Sequence, residues 1–162
     1  TGAPAVHARP GKYLTFRLGS ELYGLEIMKV QEIIGLMAMT RVPRTTESVR
    51  GVINLRGKVI PIVDLRIKFE LENREDTRKT CIVVMQVLQP DHTQISLGVV
   101  VDEVAEVLEF SEEQLQPQPS FGARVDVNIM LGIGHSNERI VILLDADRLV
   151  TAEEFTFLTT TA

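Results

Sequence analysis

Arg56 is the side chain in this sequence best suited to grip a partner. It stands in Asn54-Leu55-Arg56-Gly57, a polar break between two apolar runs. A guanidinium offers parallel N–H donors that match a carboxylate in bidentate fashion. A turn tip is held by its hairpin yet open to solvent, which suits recognition. By residue type alone, Arg56 is either a solvated cation or the working group. Glu32 and the valines Val30, Val104 and Val107 form the second set of candidates. Apolar side chains beside a few charges suit an amphipathic partner helix laid in a groove, whereas the plain alternative for each valine is barrel core.

Catalytic constellations are lacking. His7, His92 and His135 fall in a tail and two predicted turns, where exposed histidine is the expected state. No serine sits in a nucleophile elbow, and there is no H-E-x-x-H. With Cys81 as the only cysteine, paired-cysteine zinc sites and internal disulfides are excluded. Cys81 lies in an apolar strand and reads as a small buried hydrophobe, in keeping with a reducing, cytoplasmic setting. Gly132-Ile133-Gly134 is too short for a phosphate loop. Asp102, Glu103 and Glu106 are better read as a solvated face than as an acid–base or metal cluster. Asp64 and Asp145 are better read as helix N-caps. No metal and no cofactor are expected.

The chain has 162 residues, 44% apolar and 24% charged, with a net charge of −5 and no tryptophan. It is long enough for one domain or two small lobes. The acidic balance and scarce aromatics argue against a nucleic-acid partner. No apolar run is long enough to span a membrane.

The positioning elements read as mostly β. Residues 1–11 read as a disordered tail. Strands are expected over 13–18 and 21–27, joined by Gly19-Ser20. Residues 28–34 fit a short turn and then a strand, with helix over 27–33 as the alternative. A single helical turn over 47–49 is expected after Thr45 or Thr46. The central hairpin runs from Gly51 to Asp64, with Gly57 free to take positive φ in the turn. Residues 70–80 read as an exposed linker. The second half offers strands near 81–88, 95–101 and 104–110. A last hairpin spans 130–144, and a C-terminal helix is expected over 151–158. Pro61 belongs at an edge, at a bulge or where a barrel opens.

The two halves resemble each other. Gly51 aligns with Gly132, Lys58 with Arg139 and Asp64 with Asp145. At a slightly different offset, Gly24 aligns with Gly98, Val30 with Val104 and Glu32 with Glu106. The expectation is two similar β-lobes, at about 12–75 and 80–150, each a five-stranded barrel closed by a short helix, because closure removes exposed strand edges.

Lys29-Val30-Gln31-Glu32-Ile33, Gly51-Val52-Ile53-Asn54-Leu55-Arg56-Gly57, Val59-Ile60-Pro61-Ile62-Val63-Asp64-Leu65 and Gly98-Val99-Val100-Val101-Asp102 together resemble the CheW family of bacterial chemotaxis coupling proteins. The resemblance covers residues 12–158 and implies a mainly β, CheW-like fold: two SH3-like five-stranded barrels with short helices, in a single domain. It implies a cytoplasmic, non-enzymatic adaptor, recruited to membrane-associated chemoreceptor arrays without inserting into the membrane. Its implied partners are the cytoplasmic tips of chemoreceptors and the regulatory domain of the histidine kinase CheA. The family's receptor-contact positions fall on Val30, Glu32, Gly51, Asn54, Arg56, Val104 and Val107. The alternative is a CheW-like regulatory domain from a larger CheA kinase or CheV-type regulator. Nothing in the chain resembles the extra domains such proteins need.

Overall fold

A computed structural model describes residues 8–43, 45–72, 75–89, 91–117 and 129–149. The short, β-branched runs form eleven strands among the described residues. The first half supplies β1 (Gly11–Leu18), β2 (Glu21–Glu26), β3 (Val30–Gly35), β4 (Val49–Leu55) and β5 (Lys58–Asp64). One short helix follows, α1 (Leu65–Lys68). The second half supplies β6 (Cys81–Leu88), β7 (Gln94–Val101), β8 (Glu103–Phe110), β9 (Leu115–Gln116), β10 (Met130–Ser136) and β11 (Arg139–Leu144). Short 3-10 turns occupy Ile27–Lys29, Glu112–Gln114 and Ala146–Arg148. The first settles the 27–34 segment as turn then strand. The carbonyl of Thr46 accepts from the N–H of Val49, which closes a single turn over 47–48 and leads directly into β4 at Val49.

The strands make two sheets, ordered β8-β1-β2-β11-β10-β9 and β3-β6-β7-β5-β4. These sheets do not coincide with the expected lobes at 12–75 and 80–150. Each half gives its first two strands to one sheet and its later strands to the other. The chain crosses between sheets after β2, through Ile27–Lys29, and again after β7, at Asp102. The internal repeat is real, but its copies exchange strands. A pairing pattern cannot be deduced from two similar sequences, because swapped and unswapped arrangements use the same contacts.

The repeat extends to fine detail. Gly51 and Gly132 both sit beside a register shift in their hairpins, with φ of 147° and 157°. A Cβ on Gly51 would lie 2.4 Å from the carbonyl oxygen of Thr40, and one on Gly132 would lie 2.6 Å from that of Gln116. Asp64 and Asp145 each cap the following turn, accepting from the N–H of Arg66 and of Asp147. Gly24 pairs in parallel with Leu143 and Gly98 with Ile62, so each glycine makes room for a large aliphatic neighbour.

Burial follows the period-2 alternation of the strands. One apolar cluster draws on both sheets, with Leu14, Phe16 and Leu25 meeting Val63, Val83, Met85 and Val99. The other face of each sheet has a private cluster. Tyr13, Phe110 and Leu143 belong to one, and Ile53, Ile62 and Ile82 to the other. Pro61 pairs with Val52, on the stretch of β5 just before the parallel ladder to β7 begins at Ile62. The tail reading of 1–11 runs past the observed start. Ala8 is buried in the Tyr13–Phe110 cluster and Gly11 begins β1. Residues 1–7 and the expected helix at 151–158 lie outside the described residues.

Candidate functional site

Both Val-x-Glu segments are β-bulges. On β3 the register with β6 shifts between Val30 and Glu32, and on β8 the register with β1 shifts between Val104 and Val107. On β8, the buried Thr15 hydroxyl repairs the interrupted ladder. It donates to the carbonyl of Glu106 at 2.6 Å and accepts that residue's N–H at 3.1 Å. A bulge re-aims side chains, and bulges concentrate near functional sites. Here each one turns out a glutamate that meets an arginine from a hairpin of its own half. Glu32 pairs with Arg56, and Glu106 pairs with Arg139 at 2.8 Å.

Arg56 occupies a two-residue turn with Gly57. Leu55 faces Lys58, and φ is 53° at Arg56 and 84° at Gly57. Positive φ at both central positions is the type I′ hairpin, whose twist matches that of the strands. Asn54 supports it by accepting the N–H of Gly57 at 2.9 Å. The Arg56 side chain remains 70% exposed while paired. Behind the pair, Lys58 donates to the hydroxyl of Ser96, which donates to Gln31. This ties β5, β7 and β3 together at one rim.

The other candidates divide by environment. Val30 and Val104 are half-buried and pack on the shared core, which is the barrel-core alternative for both. Val107 is 47% exposed. Its counterpart in the repeat, Ile33, is 45% exposed and was not singled out from sequence. Val59 and Ile140, also repeat counterparts, are exposed as well. Gly51 is buried against Thr40, so its place in the site is to seat the hairpin, not to touch a partner. Glu32 and Arg56 are brought into contact. Val104 and Val107 lie on β8, in the other sheet.

The strongest electrostatic feature is one that composition hid. Arg66 is fully buried. Its guanidinium holds Asp64 through two bonds of 3.0 Å, donates to Asp76 at 2.6 Å and to the carbonyl of Glu75 at 2.8 Å, and reaches Asp102 at 3.4 Å. Arg50 adds a bidentate pair with Asp76 at 3.1 Å. Burial alone would lower the pKa of Arg66, but its bonds to Asp64 and Asp76 outweigh that and raise it. Asp76 is held below the usual carboxylate range by Arg50 first, against the opposing effect of burial, and by Arg66 in addition. Three carboxylates converge here, and the cation among them is the chain's own. The expected solvated face at Asp102, Glu103 and Glu106 is therefore incorrect for Asp102, which also accepts the N–H of Gly19 at 2.7 Å. The cue in the sequence was the pair Asp64 and Arg66 inside an otherwise apolar stretch.

His92 is exposed in the β6–β7 turn as expected, whereas His135 is half-buried within β10. Burial raises the thiol pKa of Cys81. Among the described residues, no three His, Cys, Asp or Glu side chains are grouped to hold a metal, and no helix is long and apolar enough to cross a membrane. Two bulged strands, one in each sheet, each present an ion pair next to an exposed aliphatic side chain.

Residues 12–154 match the family described as CheW-like domain. The chain is 38% identical over 143 residues to the chemotaxis protein CheW of Klebsiella aerogenes, covering 88% of this chain and 83% of that one. It is 32% identical over 141 residues to the chemotaxis protein CheW of Rhizobium meliloti, covering 87% of this chain and 88% of the relative. The crystal structure of the scaffolding protein TtCheW from Thermoanaerobacter tengcongensis superposes with a TM-score of 0.75 at 32% identity, covering 84% of this chain and 89% of that one.

Proposed function

The chain belongs to the CheW-like domain family, and from that premise we propose that it is a non-enzymatic adaptor of bacterial chemotaxis. In this reading it couples the cytoplasmic tips of chemoreceptors to the regulatory domain of the histidine kinase CheA. It works in the cytoplasm and is held at the membrane only through the receptor arrays it joins. The names of its relatives, chemotaxis protein and scaffolding protein, support this role.

One observation carries the receptor assignment: Arg56 stands on a rigid type I′ tip, paired with Glu32 yet largely exposed. An exposed ion pair contributes little to folding, roughly 0.2–1 kcal/mol. Its fixed geometry is better explained by recognition. In this proposal Val30, Glu32, Asn54 and Arg56 face the receptor, Gly51 seats the hairpin that carries Arg56, and Val104 and Val107 extend the contact on β8. The bulged strands give the apolar and charged elements that an amphipathic receptor helix needs.

The test is a pull-down with a receptor-tip fragment and, separately, with a CheA regulatory domain. Arg56→Glu should abolish capture by the receptor tip while the circular dichroism spectrum and melting temperature stay at wild-type values. Undiminished capture removes Arg56 from the receptor contact. Failure of the wild-type chain to capture either partner removes the adaptor reading.

A further inference from the structure

Both strands that carry the candidate site begin directly after a crossover between the sheets, and each crossover is gripped by an ion pair. At the first, Lys29 ends the turn before β3, and its ammonium donates to both oxygens of Asp147 at 3.0 Å. The same carboxylate accepts the N–H of Leu88, the last residue of β6, at 2.8 Å. At the second, Asp102 lies immediately before β8. One of its oxygens meets Arg66 at 3.4 Å and the other accepts the N–H of Gly19, just after β1.

The two grips start from matching places in the repeat with reversed polarity, and they end one residue apart in it, since Lys29 aligns with Glu103, the neighbour of Asp102. Arg66 and Asp147 both stand two residues after a capping aspartate, Asp64 and Asp145. One is a cation that reaches an anion at the crossover, and the other is an anion that reaches a cation. In both cases the cation comes from the first half of the chain and the anion from the second. The halves exchange strands, so a homotypic pairing of two first halves would set Lys29 against Arg66. Pairing two second halves would set Asp147 against Asp102. Like charges oppose the second-half pairing, whereas in the first half Arg66 is already matched by Asp64 and Asp76.

We propose that Lys29–Asp147 and Arg66–Asp102 are positioning pairs that set the two partner-facing strands independently: the first fixes β3 with Val30 and Glu32, the second fixes β8 with Val104 and Val107. The proposal rests on the reading of those strands as the partner-facing surface. The two pairs differ in exposure. Lys29 and Asp147 are 30% and 29% exposed, whereas in the second pair Asp102 is 29% exposed but Arg66 is fully buried. Salt therefore weakens the grip on β3 more than the grip on β8.

The experiment is amide exchange on the full chain, read at Gln31 and Glu32 and at Val107 and Leu108, with receptor-tip affinity measured in parallel. Lys29→Met keeps the aliphatic stem and removes the charge. It should speed exchange at Gln31 and Glu32, leave Val107 and Leu108 unchanged, and weaken the receptor tip about threefold, the size expected of one partly exposed ion pair. Lys29→Arg should restore both readouts. Asp102→Asn keeps an acceptor for Gly19 but loses the charge, and should speed exchange at Val107 and Leu108 alone. In the wild type, raising salt from about 0.05 M to 1 M, where the screening length shrinks several-fold, should speed exchange on β3 before β8. Unchanged exchange on β3 in Lys29→Met overturns the proposal. So does equal loosening of both strands in either variant, or faster exchange with undiminished tip affinity. Should the wild-type chain not bind a receptor tip at all, the adaptor reading falls, while the exchange measurements still decide whether the pairs fix their strands.

Discussion

Gly51 and Thr40 meet backbone to backbone. Thr40 and Val52 exchange two hydrogen bonds of 2.9 Å, and the carbonyl oxygen of Thr40 occupies the space where a Gly51 side chain would begin. The segment after β3 is thereby stitched to β4, and the hairpin that ends at Arg56 is aimed by that stitch.

Gly51→Ala should therefore destabilise the protein by about 3 kcal/mol, combining a positive-φ penalty with a clash against backbone that cannot yield. Thermal denaturation measures it. Receptor-tip binding should fall along with stability in this variant. Arg56→Glu should lose binding without losing stability, and that separation distinguishes a residue that seats the hairpin from one that touches the partner.

Arg66→Met should cost about 3–5 kcal/mol, because it leaves the buried carboxylate of Asp64 without its bidentate partner. The double change Arg66→Met with Asp64→Asn should recover part of that loss, since the remaining buried group is then neutral. Chemical denaturation of the two variants tests this. A double variant less stable than Arg66→Met alone contradicts the network as described.

Asp76 gives the fold a pH dependence with a definite sign. Arg50, with Arg66 in support, holds its carboxyl below the unfolded value of about 3.9. The folded chain thus binds fewer protons at this site than the unfolded chain, so stability rises with pH through that window. The contribution is complete above the unfolded pKa and disappears as pH falls through the folded one. Asp76→Asn should flatten the loss of stability below about pH 4. Denaturant midpoints measured from about pH 6 down to 2.5 read this out.

Neither half of the chain should fold alone. A piece ending in the 70–80 linker would leave β1 and β2 without β8 and β11, and β3 and β5 without β6 and β7. Proton NMR of each separated half should show collapsed, unfolded shifts, while an equimolar mixture should regain the dispersed spectrum of the intact chain. A first half that folds independently is incompatible with the exchanged sheets.

Much of the secondary structure was legible because alternation and turn residues act locally. Gly19-Ser20, Arg56-Gly57 and the capping Asp64 and Asp145 mark their elements by short-range chemistry. The repeat was legible too, since Gly51 and Gly132 answer the same close contact. The exchange was not. Whether β3 pairs with β6 or stays with β1 depends on contacts between distant segments that the local pattern satisfies equally well. The site was legible at Arg56 and Glu32, whose types advertise charge on a tip and a strand. The buried ion network was missed for a related reason. Arg66 looks like any surface arginine until Asp76 and Asp102, far along the chain, are seen to close over it.

The strand exchange also governs how the protein is born. As the chain leaves the ribosome, the first half can form only its two hairpins, β1–β2 and β4–β5, while β3 still lacks its neighbour β6. Neither sheet can be completed until β6, β7, β8 and β11 have been made. Synthesis at roughly 5–20 residues per second leaves those unpaired edges open for several seconds. Lys29 waits on that half for Asp147, whereas Arg66 already has Asp64 and Asp76 on its own side of the chain. Those edges are covered only when the second half of the same chain arrives.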